Sequence, residues 1–212
     1  MHKENIILVG AGGHCVSCID VIRAEQRFEI IGILDLRSKL GEVVDGVRVI
    51  GVDDDIPRLV HECTNFLITI GQLKSSEKRR RISQYIKANG GKLPIVVSPN
   101  AYVGSNVSIG EGSIVMHFAI INAQASIGKN CILNTKCLVE HEAEIGDFCH
   151  VSTNSVINGQ VKIGSGTLIG SGAVIINNIE IPANTVIGAG AVVNVSCQDS
   201  GVYIGNPARK IK

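Results

Sequence analysis

The segment Asn134-Thr135-Lys136-Cys137-Leu138-Val139-Glu140-His141-Glu142 sets one imidazole between two carboxylates in a region otherwise poor in charge. An imidazole titrates near neutrality and is a natural general base for an attacking amine or hydroxyl. A neighbouring carboxylate, Glu142 or Glu140, can orient the ring and stabilise the imidazolium, as the acid of a triad does. The chemistry this suits is group transfer. A second candidate is the turn Gly10-Ala11-Gly12-Gly13, which follows the apolar run Ile6-Ile7-Leu8-Val9 and opens a helix. Amides at such a helix start can face a phosphate. Asp35, which closes the next apolar run, can hydrogen-bond a ribose. Cys15 stands where the dinucleotide pattern expects its third glycine, so a complete NAD site is not expected; a tight turn with no ligand is the plain alternative.

Cys15 and Cys18 form a CxxC beside His14, a pattern shared by redox and metal sites. No second pair follows at zinc-finger distance, and the seven cysteines are an odd number. The reading preferred here is a reduced, cytoplasmic chain that uses cysteine as a small apolar residue and holds no metal. Met1-His2-Lys3-Glu4 runs straight into a strand, with no signal segment expected.

The elements that must position these groups follow from a repeat. Stepping by six from Val103, the chain reads Val103, Ile109, Val115, Ile121, Ile127, Leu133, Val139, Ile145, Val151, Ile157, Ile163, Ile169, Ile175, Ile181, Ile187 and Val193, all aliphatic. Four residues after each comes a second row of mostly small residues, among them Ala119, Ala125, Cys131, Cys137, Ala143 and Cys149. Such a period predicts a triangular solenoid with one hexapeptide per side and three per coil, the aliphatic inside and the small residue at the corner. Successive coils then pair as parallel strands about 4.8 Å apart. Glycine directly follows the aliphatic in several repeats, as at Gly110, Gly128 and Gly164, and is expected to serve a turn with permissive backbone. In this grammar His141 projects from a flat side. Gly159 lies one coil, eighteen residues, beyond it. His117 shares the in-repeat position of His141 on a different side and is expected to be structural.

Residues 1–98 read differently, as short apolar strands alternating with helices: Ile6–Val9, a helix from about His14 to Ala24, Glu29–Leu34, Val47–Val49, Asn65–Ile70, a helix around Ser76–Ala88, and Leu93–Val97. This predicts a small Rossmann-like α/β domain ahead of the β-helix at 99–212. The run Lys78-Arg79-Arg80-Arg81 falls in the second helix and is expected to be a solvated face. A net charge of +1, with neither half a charged arm, gives no argument for nucleic acid or membrane binding, and no apolar run approaches a membrane span.

The repeat pattern, together with Gly205-Asn206-Pro207-Ala208-Arg209 near its end, resembles the hexapeptide-repeat acyltransferases. That likeness implies a left-handed parallel β-helix, a homotrimer and active sites between adjacent prisms. With the GAGGH turn ahead of it, the whole chain resembles the bacterial sugar acyltransferases, which include sialic acid O-acetyltransferases and N-acetyltransferases of nucleotide-linked 4-amino sugars. Members carry an Asn, a His seven residues later followed by an acidic or polar residue, and a second His nine residues on. Here these are Asn134, His141, Glu142 and His150.

By that resemblance acetyl-CoA is the co-substrate and His141 the base. Glu142 is its partner, and Asn134 positions substrate or base. Gly10, Gly12, Gly13, His14 and Asp35 hold a nucleotide-sugar, and His150 contacts acceptor or acetyl-CoA. Gly159 and a stacked Ser171-Gly172 flank the cofactor, with Gly159 leaving a channel for its pantetheine arm and amides for the thioester carbonyl. The preferred acceptor is the amine of a nucleotide-linked amino sugar, and the alternative is a sialic acid hydroxyl. A zinc enzyme of the γ-carbonic anhydrase kind needs a His pair five apart, not nine. A non-catalytic partner of a sugar-synthesis enzyme is the remaining alternative, disfavoured by the intact His141 and Glu142.

Overall fold

A computed structural model describes residues 3–72 and 75–212. Contacts divide the described residues into two units. One runs to Gly71 and resumes at Glu77–Pro99; the other holds Gln72, Ser75, Ser76 and Asn100–Lys212.

In the first unit Ile6, Ile7, Leu8 and Val9 are buried on both faces, as a central parallel strand requires. This strand, β1 (Glu4–Val9), pairs in parallel with β2 (Phe28–Leu34) on one side. On its other side it pairs in parallel with a strand at Asn65–Ile68. Beyond β2 come β3 (Val43–Val44) and β4 (Val47–Gly51), so with β5 (Asn65–Ile68) the five-stranded order is β3-β4-β2-β1-β5. Helix α1 (Gly13–Glu25) follows β1 directly and buries Cys15, Cys18, Ile19, Val21 and Ile22. After a single turn, α2 (Ile56–Leu59), the longer α3 spans Glu77–Ala88. It sends Ile82 and Ile86 into a core with Ile7, Leu34, Phe66 and Leu93.

Two expectations are corrected in this unit. The strand foreseen at Leu93–Val97 is only Val96–Val97, because Pro94 has no N–H for a ladder. The basic run is not a uniformly solvated face: Arg79 is 3% exposed. Lys78 lines a cleft of about 310 Å³ with Gly10, Asp35, Arg37, Asp53 and Asp54.

The second unit is the expected solenoid of two-residue strands. Its first face stacks Tyr102–Val103, Ile120–Ile121, Leu138–Val139, Val156–Ile157, Val174–Ile175 and Val192–Val193 in parallel. A second face runs from Ser108–Ile109 through Ser126–Ile127 and Glu144–Ile145 to Glu180–Ile181. The third stacks Ile114–Val115, Ile132–Leu133, His150–Val151, Leu168–Ile169 and Val186–Ile187. Partners are eighteen residues apart throughout. From Val115 to Val193 the aliphatic row is at most 3% exposed, while Val103 in the first coil is 37% exposed.

The glycines after the aliphatics serve close approach, not a turn. A Cβ at Gly110 would lie 2.6 Å from Gly128 C, one at Gly128 2.6 Å from Asp147 N, and one at Gly164 2.3 Å from Ala183 N. Each packs on the backbone of the next coil. Left-handed backbone falls two residues later, and there Asn106, Lys136, Glu142, Phe148, Asn154 and Gln160 adopt it as well as Gly166 and Gly172.

Candidate active site

His141 and Glu142 occupy the corner between the first and second faces, not a flat side. Val139 ends the strand two residues before His141, and Glu142 takes φ +58 to turn the chain. The corner lifts the imidazole outward, and its side chain is 55% exposed. His141 Nδ1 lies 3.1 Å from Glu142 Oε2. A carboxylate only accepts, so Nδ1 carries the hydrogen and the lone pair of the neutral ring resides on Nε2. Glu140 instead turns a carboxylate oxygen to the His141 amide at 3.3 Å. The ring rests over the next coil: a Cβ at Gly159 would stand 2.7 Å from both His141 Cε1 and Nε2. The space left by the missing side chain is therefore taken by the imidazole itself. Gln160, which the sequence reading passed over, sends Nε2 to Glu142 Oε2 at 3.2 Å. Its signal in the sequence is the coil period, since Gln160 lies one coil beyond Glu142 as Gly159 does beyond His141.

Asn134 and His150 form a separate pair near the opposite edge of the first face. Asn134 Oδ1 accepts from the Thr135 amide at 2.8 Å, which aims its Nδ2 at His150 Nε2, 3.2 Å away. His150 Nδ1 faces the Gln72 carbonyl at 3.1 Å and must donate to it. Both contacts suit a neutral ring, and His150 is 8% exposed. Gln72 is itself buried and donates to the Gly166 carbonyl at 2.8 Å. Ser171 and Gly172 share this edge. The Gly172 amide reaches Thr153 O and the Gly190 amide reaches Ser171 O. They stack on Thr153 and Gly190 and not on Gly159, because twelve residues are two sides of the triangle and not a coil. His117 lies on the same edge, its carbonyl accepting from Lys136 N.

In the first unit, Gly10 has φ +114 and an added Cβ would collide with the Ile70 side chain, so no side chain fits there. At Gly12 and Gly13 an added Cβ would meet nothing within 4 Å, leaving the amides at the start of α1 open to a ligand. Asp35 Oδ2 accepts from Ala11 N and from Lys39 Nζ at 3.3 Å, while Oδ1 accepts from Leu36 N at 2.7 Å. Desolvation raises the Asp35 pKa, but the bonds from Leu36, Ala11 and Lys39 outweigh it and leave the carboxyl below its usual range. Its carboxylate thus shapes the glycine turn. Nearby Asp53 is pushed up, chiefly by burial, with Lys78 opposing. His14 Nε2 sits 3.4 Å from Cys18 Sγ. Burial raises the pKa of both Cys15 and Cys18, the reverse of what thiolate chemistry needs.

Comparison with known proteins adds lineage to this geometry. Residues 5–86 match the PglD N-terminal domain. The whole chain superposes with a TM-score of 0.93 and 30% identity on a perosamine N-acetyltransferase variant from Caulobacter crescentus, solved with CoA and GDP-perosamine, covering 100% of this chain and 98% of that one. The acetyltransferase domain of PglB from Neisseria gonorrhoeae, with acetyl coenzyme A, gives 0.92 and 30% over 99% and 100%. WeeI from Acinetobacter baumannii gives 0.86 and 26% over 99% and 100%. An uncharacterized mimivirus protein, L142, is 35% identical over 112 residues, which are 52% of this chain and 21% of the viral protein.

Proposed function

Because the chain belongs to the bacterial sugar N-acetyltransferases of the hexapeptide-repeat acyltransferase family, we propose that it moves an acetyl group from acetyl-CoA to the amine of a nucleotide-linked amino sugar. The observation that carries this is the His141–Glu142 pair, with Nδ1 committed to the carboxylate and the Nε2 lone pair on an exposed ring. His141 Nε2 takes the proton as the amine attacks the thioester carbonyl, and Glu142 steadies the imidazolium so formed. Collapse of the tetrahedral intermediate breaks the carbon–sulfur bond, and the imidazolium returns its proton to the departing sulfur as CoA is released. The nucleotide portion of the acceptor is assigned to Gly10, Gly12, Gly13, His14 and Asp35, where open amides suit a phosphate.

The enzyme is proposed to work as a homotrimer. The first solenoid face presents an outward apolar row, Tyr102, Ile120, Leu138, Val156, Val174 and Val192, with Tyr102 58% and Ile120 40% exposed. The equivalent row of the second face is Ser108, Ser126, Glu144, Lys162 and Glu180. Such an apolar row on a flat face suits self-association. His141 with Gly159 lies at one edge of that face, and Asn134, His150, Ser171 and Gly172 lie by the other. Packing of neighbouring prisms would bring the second group of one subunit to the first of the next, with acetyl-CoA between them.

The test is mass-spectrometric detection of acetylated product from acetyl-CoA and a panel of UDP-, dTDP- and GDP-linked 4-amino-6-deoxy sugars beside free and CMP-linked sialic acid. N-acetylation of an amino sugar is expected. Turnover of a sialic acid alone would move the chain to O-acetylation, and silence throughout would restore the non-catalytic alternative.

A further inference from the structure

Glu142 is 47% exposed on a three-torsion side chain, and a lone exposed contact with the adjacent His141 would be weak and mobile. One coil later Gln160 repeats its backbone: φ is +58 at Glu142 and +60 at Gln160, so both side chains leave the corner in the same direction. The Gln160 amide N–H bonds to the His141 carbonyl at 3.1 Å, which fixes the register of the two corners. Its Nε2 then donates to Glu142 Oε2, the same oxygen that accepts from His141 Nδ1.

We propose that Gln160 is a positioning residue for the His141–Glu142 pair: its side-chain amide holds Glu142 Oε2 in line with His141 Nδ1 and so keeps Nε2 turned toward the reacting amine. The inference rests on His141 being the base. An amide suits this task because it orients the carboxylate without neutralising it. A Lys or Arg there would draw off the negative charge that the imidazolium needs. Gln160 touches neither substrate nor the reacting atoms in this scheme; it acts through Glu142.

The test compares wild type, Gln160→Asn, Gln160→Glu and His141→Ala as full-length protein with acetyl-CoA and the amino sugar that is turned over. Asn tolerates the left-handed corner, as Asn154 and Asn178 do, but is one methylene too short to hold Glu142 in the same place. Gln160→Asn is expected to lower kcat about tenfold, with KM for both substrates within about twofold and an unchanged melting temperature. Gln160→Glu adds a negative charge near the ring and favours the imidazolium, so the acidic limb of kcat/KM should move up by about half a pH unit. Wild-type kcat in Gln160→Asn would overturn the proposal, as would a loss of kcat matched by a fall in melting temperature with the limb of Gln160→Glu unmoved. If His141→Ala keeps its turnover, the base assignment fails and this inference with it. If His141→Ala is inactive while both Gln160 variants behave as wild type, this inference alone fails.

Discussion

Replacing Gly159 by Ala separates catalysis from stability. The new methyl would stand 2.7 Å from His141 Cε1 and Nε2 and 3.3 Å from Cδ2. Non-bonded carbons settle at about 3.5–4.0 Å, so the ring must retreat by about 1 Å. A misplacement of that size costs about 100-fold in rate. The fold need not suffer, because the imidazole is exposed and can swing into solvent. Gly159 does not have the positive φ that an alanine would resist. Loss of glycine freedom in the unfolded chain can even add about 0.4–1 kcal/mol of stability. Steady-state kinetics and a thermal melt on the same preparation read both sides. A kcat within about threefold of wild type would refute the argument, since the ring would then tolerate the methyl without losing its alignment. A raised KM for acetyl-CoA with unchanged kcat would also refute it, assigning the space at Gly159 to the cofactor.

Gly164→Ala drives a Cβ to 2.3 Å from Ala183 N, where backbone cannot yield, and should destabilise the chain by about 3 kcal/mol in urea unfolding; an unchanged midpoint would contradict the close-approach reading. Gly12→Ala and Gly13→Ala point into open space and should leave the melt unchanged while raising KM for the nucleotide-sugar, a KM that stays at the wild-type value being the contrary result. Asp35 is held below the usual carboxylate range, so its contribution is present above the unfolded pKa of about 3.9 and is lost as pH falls through the folded value. The stability gap between wild type and Asp35→Asn should therefore be wide at neutral pH and close in acid, whereas an equal gap at both would count against it. Leu138→Lys buries a charge in the outward apolar row and should shift light scattering from trimer to monomer with loss of turnover; an intact trimer would remove that face from the interface.

The solenoid was legible because one physical requirement, an inward aliphatic every sixth residue, is repeated sixteen times with no slip. Its glycines were harder. A sequence shows that a side chain is missing but not what fills the space, and at Gly110, Gly128 and Gly164 it is the next coil's backbone. The left-handed corners carried a partial signal, since Asn or Gly fills many of them, yet Lys136, Phe148 and Gln160 adopt them too. His141 was placed on a flat side for the same reason, the turn falling at a position where no glycine marks it. Gln160 and the true stacking of Ser171 both follow from the eighteen-residue coil, which adjacency in sequence hides. In the first unit the alternation of strands and helices was readable from apolar runs. The burial of Arg79 within a basic tetrad was not, because charge pattern alone does not show which side of α3 faces the sheet.

The central claim is that His141 is the base for acetyl transfer. The most direct measurement is kcat/KM for wild type and His141→Ala on the amino sugar that the panel identifies, read as acetylated product by mass spectrometry. The account predicts a loss of about 10²–10⁴-fold in His141→Ala, with an unchanged fold by circular dichroism. Turnover by His141→Ala within about fivefold of wild type would contradict it and place the proton acceptor elsewhere.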